Sequence, residues 1–416
     1  MPVPMTTDQN PVAAGSAVRF ANVAHFYSHV VMLLYPTVVL ALEAEFGLPY
    51  GELLALALPG FMLFGLAALP AGWLGDRWSI PGMLAIYFIG TGAAVILTGF
   101  ADTPFEIAIG LALIGLFASI YHPVGTSFVV RHAVNRARAL GANGVYGTTG
   151  LALAALIAGT LTDAWGWRAA FFIPGGVCLL TGIAFVVMLP PASFPRGKAA
   201  SRLDPGVTRR LAVRAFMVLG VTILCIGLIG QAIQVALPKV FAVRVTILGE
   251  AGLTGTAALV TGALLIAASG QFIGGILADR FPLKSVYITM YVLLAPLAVL
   301  AAGWTEAPLI AASAVIMLLV TTSLPAENCL VAKFCPAGWH ATAYGAKFVL
   351  GLGIAALAVP MVGAIYDTTG SFTWFYVALG ALGATVVAVA VFLPGARATQ
   401  APPEAPQAAP AAGAAE

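Results

Sequence analysis

Long apolar stretches follow one another along nearly the whole chain, and short segments with charge, glycine and proline separate them. A helix that crosses a bilayer needs about 20 predominantly apolar residues. The pattern predicts twelve such helices, called spans 1 to 12 in chain order. They cover residues 20–42, 53–74, 81–100, 105–130, 139–162, 170–190, 213–238, 254–277, 284–303, 308–332, 342–365 and 373–394.

The composition favours the same class of protein. Of 416 residues, 61% are hydrophobic and only 8% are charged. Soluble domains carry about 25% charged residues, and a surface with so little charge would aggregate in water. Soluble, disordered and nucleic-acid-binding proteins are therefore disfavoured, and an all-α membrane protein is predicted.

The basic residues predict how the spans are oriented, because lysine and arginine concentrate in cytoplasmic loops. With the N-terminus inside, most of the 19 basic residues fall in inside segments, whereas Arg168, Lys239 and Arg244 fall in outside loops. Residues 1–18 are polar and lack a short apolar core, so we expect the first apolar stretch to be a retained span rather than a cleaved signal peptide. We expect a multi-pass protein of the cell membrane with both termini in the cytoplasm.

The two halves of the chain repeat each other at a spacing near 203 residues. Asp76-Arg77 after span 2 is echoed by Asp279-Arg280 after span 8, and the prolines of spans 1 and 7 recur at nearly the same offset. The repeat predicts a duplicated six-span unit. The expected parts are a cytoplasmic segment 1–18, a six-helix bundle 19–190, a cytoplasmic linker 191–212, a second bundle 213–395, and a disordered Ala/Pro-rich cytoplasmic tail 396–416.

Three motifs resemble those of the major facilitator superfamily. They are the loop Gly72–Arg77, its second-half copy Gly275–Arg280, and the Trp-Gly-Trp-Arg sequence at 165–168. The resemblance covers nearly the whole chain. It implies two pseudo-symmetric six-helix bundles that rock around a central site, which spans 1, 4, 7 and 10 line with contributions from spans 5 and 11.

Finer motifs resemble the fosmidomycin-resistance-like subgroup of that superfamily. They are His25–His29 and Leu34–Pro36 in span 1, and Tyr121–Pro123 in span 4. Span 5 departs from the family's antiporter signature, because it has a series of glycines but no proline.

Polar side chains inside spans are costly in the bilayer, so they tend to face a cavity or a partner. The alternatives are histidines packed against backbone carbonyls, glutamines that join helices, and a lysine that extends to the cytoplasmic surface. All the candidates for solute contact lie in the spans that the resemblance assigns to the cavity. They are His25, His29, Tyr121, His122, Asn143, Tyr146, Gln231, Gln234, Asn328, Tyr344 and Lys347.

Glu327 is the one acid expected well inside a span. A carboxyl group that is buried without a partner takes up a proton, so Glu327 is either a proton carrier or one half of an ion pair with Lys347. His29 and His122 are further candidates for proton exchange, since histidine titrates near neutral pH.

The two Asp-Arg loops are expected to act as gates, by the resemblance. Asp76 and Asp279 are expected near the start of a cytoplasmic helix, where the helix dipole favours negative charge. Arg77 and Arg280 would pair with a neighbour and latch the inner side. The alternative is that these loops only stabilise the local structure and the topology.

The sequence thus predicts a secondary transporter of a small organic solute, coupled to protons, with export slightly favoured over import of an organic anion. No nucleotide-binding loop is present, so ATP is not expected to drive it. Other hypotheses are an intramembrane haem or metal protein that uses the histidines, and a channel. We expect a monomer with no enzymatic activity, no catalytic residue, no cofactor, no metal and no nucleic-acid partner.

Overall fold

The computed structural model describes residues 11–133, 136–189, 209–247, 251–335 and 340–394. These residues are almost entirely helical and include no strand. Twelve helices are long and apolar enough to cross a membrane, so the twelve predicted spans are confirmed. They are α1 (Gly15–Phe46), α2 (Tyr50–Arg77), α3 (Ile80–Gly99), α4 (Pro104–His132), α5 (Arg138–Trp165), α6 (Ala169–Met188), α7 (Arg210–Arg244), α8 (Gly252–Arg280), α9 (Leu283–Ala301), α10 (Glu306–Phe334), α11 (Ala343–Thr369) and α12 (Thr373–Ala390).

Some helices extend into segments expected to be polar connections. The helix of α1 begins at Pro11, and that of α7 begins at Arg209. Lys239 and Arg244, expected in an outer loop, lie in the last two turns of α7. The helix continues there because both side chains have partners: Lys239 pairs with Glu43 at 2.6 Å, and Arg244 donates to backbone and hydroxyl oxygens nearby.

The remaining parts of the expected connections are not described. The predicted N-terminal segment 1–18 is described only from residue 11, the linker 191–212 only from residue 209, and the tail 396–416 lies wholly outside the described residues.

Local sequence signals set where several helices begin and end. Ser79 caps α3 by accepting a hydrogen bond from a backbone N–H of its first turn. Thr103 and Glu106 form a reciprocal capping box at the start of α4. Gly47 and Gly370 end α1 and α11 in the left-handed conformation, with φ of 62° and 63°, which glycine adopts without a steric penalty.

Two helices depart from α-helical geometry near the middle of the molecule. Tyr121–Gly125 in α4 and Val349–Gly353 in α11 are single π-helical turns, and Ile354–Leu357 continues α11 as a 3₁₀ turn. A π-helical turn widens the helix locally and occurs often at functional sites, whereas a 3₁₀ turn tightens it.

The helices pack as two sets that meet along two seams. Within the first set α1 packs on α5 and α3 on α6, and within the second α8 packs on α10 and α9 on α12. Between the sets, α2 packs on α11 and α5 on α8, and α1 contacts α7, where Glu43 pairs with Lys239. The contacts of α2 with α11 and of α5 with α8 are called the two seams.

Candidate substrate and proton site

The first polar cluster joins α1, α4 and α5 in the first set of helices. His25, His29 and His122 form a triangle, with ring centroids 5.2, 5.5 and 5.7 Å apart. The ring of Tyr121 stacks on that of His25 at 4.8 Å. The structure therefore brings together His25 and His29 of span 1 with Tyr121 and His122 of span 4.

Asn143 of α5 is the centre of the hydrogen bonds in this cluster. Its side-chain amide nitrogen donates to the Tyr121 hydroxyl at 2.8 Å and to the Asn22 side-chain oxygen at 3.0 Å. His25 donates from Nδ1 to the Asn143 carbonyl oxygen at 2.8 Å. Because Asn143 is 3% exposed and its amide is engaged, it positions the ring of His25 and the hydroxyl of Tyr121.

His122 lies at the boundary between the two sets of helices. Its ring stacks on Phe348 of α11 with centroids 5.3 Å apart and meets the ring of Phe64 at 5.2 Å. Its buried Nε2 has no hydrogen-bond partner among the described residues. The contact with Phe348 lies where the π-helical turns of α4 and α11 occur, so both helices are irregular at this point.

The second polar cluster is a buried ion pair in the second set of helices. Lys347 of α11 lies 2.8 Å from Glu327 of α10, and the Tyr287 hydroxyl of α9 donates to the other carboxylate oxygen at 3.2 Å. Lys347 also donates to the Asn328 side-chain oxygen, and the Tyr344 hydroxyl donates to the Asn328 carbonyl oxygen at 3.1 Å. Of the two arrangements considered for Glu327, the structure contains the ion pair.

Three candidate residues lie outside both clusters. Gln231 of α7 is 8% exposed, and its buried amide nitrogen has no acceptor among the described residues. Gln234 lies one turn further along α7 and is half-buried. Tyr146 is 43% exposed, in contrast to Asn143 one turn earlier on α5.

The family follows from the sequence profile. Residues 21–258 match the Major Facilitator Superfamily. The chain belongs to the major facilitator superfamily. It is therefore a multi-pass membrane transporter rather than an enzyme.

Solved structures show the same fold across nearly the whole chain of this superfamily member. A bacterial homologue of the human lysosomal transporter Spinster, in an inward-facing and occupied conformation, has a TM-score of 0.73 at 16% identity, over 92% of this chain and 95% of that chain. A peptide transporter in complex with sulfate has a TM-score of 0.73 at 14% identity, over 94% and 95%. No curated protein sequence matched the chain.

The positions of the aspartates in the two Asp-Arg loops differ from the expectation that they lie near helix starts. Asp76 and Asp279 lie in the last turns of α2 and α8, not at helix starts, so the dipole of their own helix disfavours their charge. Arg131 compensates Asp76 at 3.5 Å, and Arg77 lies over the Trp73 ring at 4.6 Å.

The second-half loop lacks the corresponding ion pair. Lys333 corresponds to Arg131 by the repeat, but within the described residues no basic side chain lies within 4.0 Å of the Asp279 carboxylate. Arg280, which follows Asp279 in the sequence, ends α8, where the helix dipole favours its positive charge.

Two site residues were missed by sequence reasoning. Asn22 lies three residues before His25 in α1, so its helical spacing was a usable signal. Tyr287 lies in α9, a span that the family architecture does not assign to the cavity, so nothing in the sequence pointed to it.

The described residues do not support a metal site built on the histidines. Among the described residues, no group of three histidine, cysteine or acidic side chains is placed to hold a metal ion. Cys178, Cys225 and Cys329 are free thiols, and of these Cys329 is exposed.

Proposed function

We propose that this transporter couples the movement of a small organic solute to protons, and that Glu327 is the proton site. The observation that carries the proposal is the buried Glu327–Lys347 ion pair, in which the carboxylate is 1% exposed. A carboxylate in such a place changes its protonation state only when its partner or its access to water changes. A group that must release its proton at one stage of the transport cycle and keep it at another has this requirement.

The ion pair ties α10 to α11, so its state affects how these helices pack. Protonation of Glu327 removes the attraction between the two side chains, and Lys347 then retains the neutral Asn328 as its partner. Because the desolvated pair is strong only while both groups are charged, one proton favours a different helix arrangement. Alternating access by the two bundles would follow from that difference.

The solute is proposed to bind between the first and second clusters. His122 and Gln231 are the strongest candidates, since each has a buried nitrogen without a partner among the described residues. His25, His29, Tyr121 and Asn143 shape the first-set side of the site. Related structures hold small molecules: one POT family transporter, with TM-score 0.72 and 13% identity over 93% of this chain and 96% of that chain, is in complex with 5-aminolevulinic acid.

Other details stay predictions from the sequence. They are export as the direction, membership of the fosmidomycin-resistance-like subgroup, the cell membrane as the location, cytoplasmic termini and a monomeric state. The two Asp-Arg loops are proposed as inner gates, with the Asp76–Arg131 pair as the contact that supports this role.

The test uses inside-out vesicles and a panel of labelled organic solutes, with the pH gradient present or collapsed. We expect Glu327→Gln to abolish transport that depends on the pH gradient while solute exchange is partly retained. Glu52→Gln is the matched control, because Glu52 is an exposed acid at the start of α2, remote from the pair in sequence and helix. If Glu327→Gln transports normally along a pH gradient, the proton role is wrong.

A further inference from the structure

The Glu327–Lys347 ion pair presents mainly its cationic side to an approaching molecule. Lys347 keeps 15% of its side-chain surface exposed, whereas Glu327 keeps 1%. Lys347 covers the carboxylate from α11 and Tyr287 covers it from α9. The neighbouring Asn328 is exposed. A solute that reaches this part of the transporter therefore meets the ammonium group before the carboxylate.

Two buried polar groups without partners among the described residues, on α4 and α7, favour a ligand that accepts hydrogen bonds. The amide nitrogen of Gln231 can only donate, and Nε2 of His122 can donate when it carries the ring proton. A buried donor without an acceptor costs about 1–3 kcal/mol. A ligand with oxygen acceptors would remove that cost.

Packing between the bundles places His122 beside the segment that holds Lys347. The ring of His122 stacks on Phe348, which directly follows Lys347 in α11. Within the second bundle, Gly227 of α7 lies against Gly351 of α11, and Gln231 and Lys347 lie one turn from this contact in opposite directions. The cation and the His122 donor thus lie close together, and Gln231 lies deeper along the same helices.

We propose that the transported solute carries an anionic head group, a carboxylate, phosphonate or phosphate, and that it binds Lys347 in the same state of the carrier in which Glu327 is protonated. The proposal rests on the proposed function, which makes Glu327 the proton site.

The charge balance links the two binding events. With Glu327 ionised, the pair has no net charge; with Glu327 protonated, a positive charge remains on Lys347. An anion that takes the place of the carboxylate restores neutrality, whereas an anion bound without the proton leaves a surplus negative charge. Because uncompensated charge is costly in this buried setting, each ligand raises the affinity for the other by the same factor.

This coupling has a consequence for direction. Two ligands that favour the same carrier state move together, so protons entering the cell would carry the anion inward. Exchange for a proton would require a cationic solute to compete for Glu327, which is covered by Lys347 and Tyr287. The geometry therefore points to uptake by symport, whereas the sequence pattern slightly favours export.

Few other titratable groups surround the pair. Tyr344 of α11 bonds to the residue after Glu327, and Tyr291 of α9 bonds to Ser323 one turn earlier on α10. Cys225 of α7 lies near Tyr291. All three are neutral near pH 7, so within the described residues Glu327 and Lys347 set the local charge.

The test compares ligands of one shape and different charge on the purified full-length protein. The probes are benzoate and phenylphosphonate as anions, benzamide as the neutral analogue and benzylammonium as the cation. Binding is followed by calorimetry between pH 5 and pH 8, and proton uptake is followed with an indicator dye in weak buffer.

We expect an anionic probe to bind with uptake of about one proton and to weaken by about tenfold per pH unit above the pKa of the coupled proton site. Glu327→Gln should bind that probe at every pH without proton uptake. Lys347→Gln should lose anion binding, and Lys347→Arg, which keeps the charge, should retain it. Circular dichroism and gel filtration confirm that each variant is folded.

Two outcomes would overturn the anion proposal: no anionic probe binds the wild type at pH 5, or benzylammonium binds and releases a proton. A different result would overturn the proposed function. If Glu327→Gln still binds the anion in a pH-dependent way with proton uptake, the proton site lies elsewhere. If the wild type binds no anionic probe but transports another solute along a pH gradient, only the class of solute is wrong.

Discussion

The two seams between the bundles correspond to each other by the repeat, yet they differ over half of their length. In the α2–α11 seam, the Asp367 carboxylate accepts from the Gly51 backbone N–H at 3.0 Å, and further along the glycines at 65 and 353 are in close contact. Near the other end of the seam, Leu69 still lies against Gly345. This seam therefore has contacts from Gly51 to Leu69 of α2.

The α5–α8 seam begins in the same way and then opens. Asp163 accepts from the Thr254 backbone N–H at 2.7 Å, and the Thr261 hydroxyl donates to the Ala152 carbonyl oxygen at 2.8 Å. Towards the predicted inner end, a β-carbon on Gly144 would meet nothing within 4 Å. On α8, Phe272 is 75% exposed.

The difference suggests where a solute enters. Both seams carry an aspartate at the end of one helix that accepts from the first turn of a helix in the other bundle, so they are clamped alike at the predicted outer end. Among the described residues, the inner-half contact that distinguishes the seams is that of Leu69 with Gly345 on the α2–α11 seam, whereas Gly144 and the exposed Tyr146 lie at the corresponding part of α5. At the repeat offset of 203, Lys347 on the closed seam corresponds to Gly144 on the open one.

The largest effect is expected from a substitution of Lys347, the residue by which the two seams differ at the repeat position. Lys347→Gln leaves the carboxylate of Glu327 buried without a cation, and we expect a loss of roughly 3–5 kcal/mol of stability near neutral pH. Protonation of Glu327 limits that loss, so it should shrink as the pH falls. Thermal unfolding of the purified protein at several pH values measures the effect.

A matched variant separates charge from packing. The double variant Glu327→Gln with Lys347→Gln removes both charges and leaves two polar side chains that can hydrogen-bond to each other, so we expect most of the stability to return. Equal destabilisation in the single and double variants would contradict the view that the ion pair, rather than side-chain shape, holds α10 to α11.

A smaller effect is expected where the closed seam has no room. A β-carbon on Gly65 would overlap the backbone of Gly353, which cannot move without separating α2 from α11. We expect Gly65→Ala to cost about 1–3 kcal/mol. Gly144→Ala is the control on the open seam, where alanine is tolerated and favours the helix. Similar thermal stability for the two variants would mean that the two seams do not differ in this way.

Sequence reasoning recovered the twelve helices because apolar length and charge are local properties of the chain. It also named both members of the ion pair. It could not decide whether Glu327 pairs with Lys347, because that depends on how α10 and α11 are rotated against each other. Packing from other helices decided the rest: Tyr287 reaches Glu327 from α9, and Phe348 covers His122 from α11.

The Asp-Arg loops show a further limit of sequence reasoning. The motif indicated a cytoplasmic turn, but the helices run through Asp76 and Asp279 to the arginines that follow them. The free-energy cost of extending each helix by one more turn is small because an arginine ends it, and the helix dipole favours positive charge at that end. The motif therefore located the turn but misplaced the two carboxylates relative to the helix ends.

The smallest effect is expected from the two aspartates at the predicted outer end, one on each seam. Asp163→Asn and Asp367→Asn each weaken a charge-assisted bond to the first turn of a helix in the other bundle, and each should raise the ratio of outer-open to outer-closed carriers by about two- to fivefold. Asp163→Asn should have the larger effect, because a β-carbon on Gly144 towards the predicted inner end of the α5–α8 seam would meet nothing within 4 Å. Spin-label distances between the outer ends of α5 and α8, and of α2 and α11, measure both ratios. A larger opening in Asp367→Asn would mean that the clamp, and not the length of the seam below it, controls how far the bundles separate.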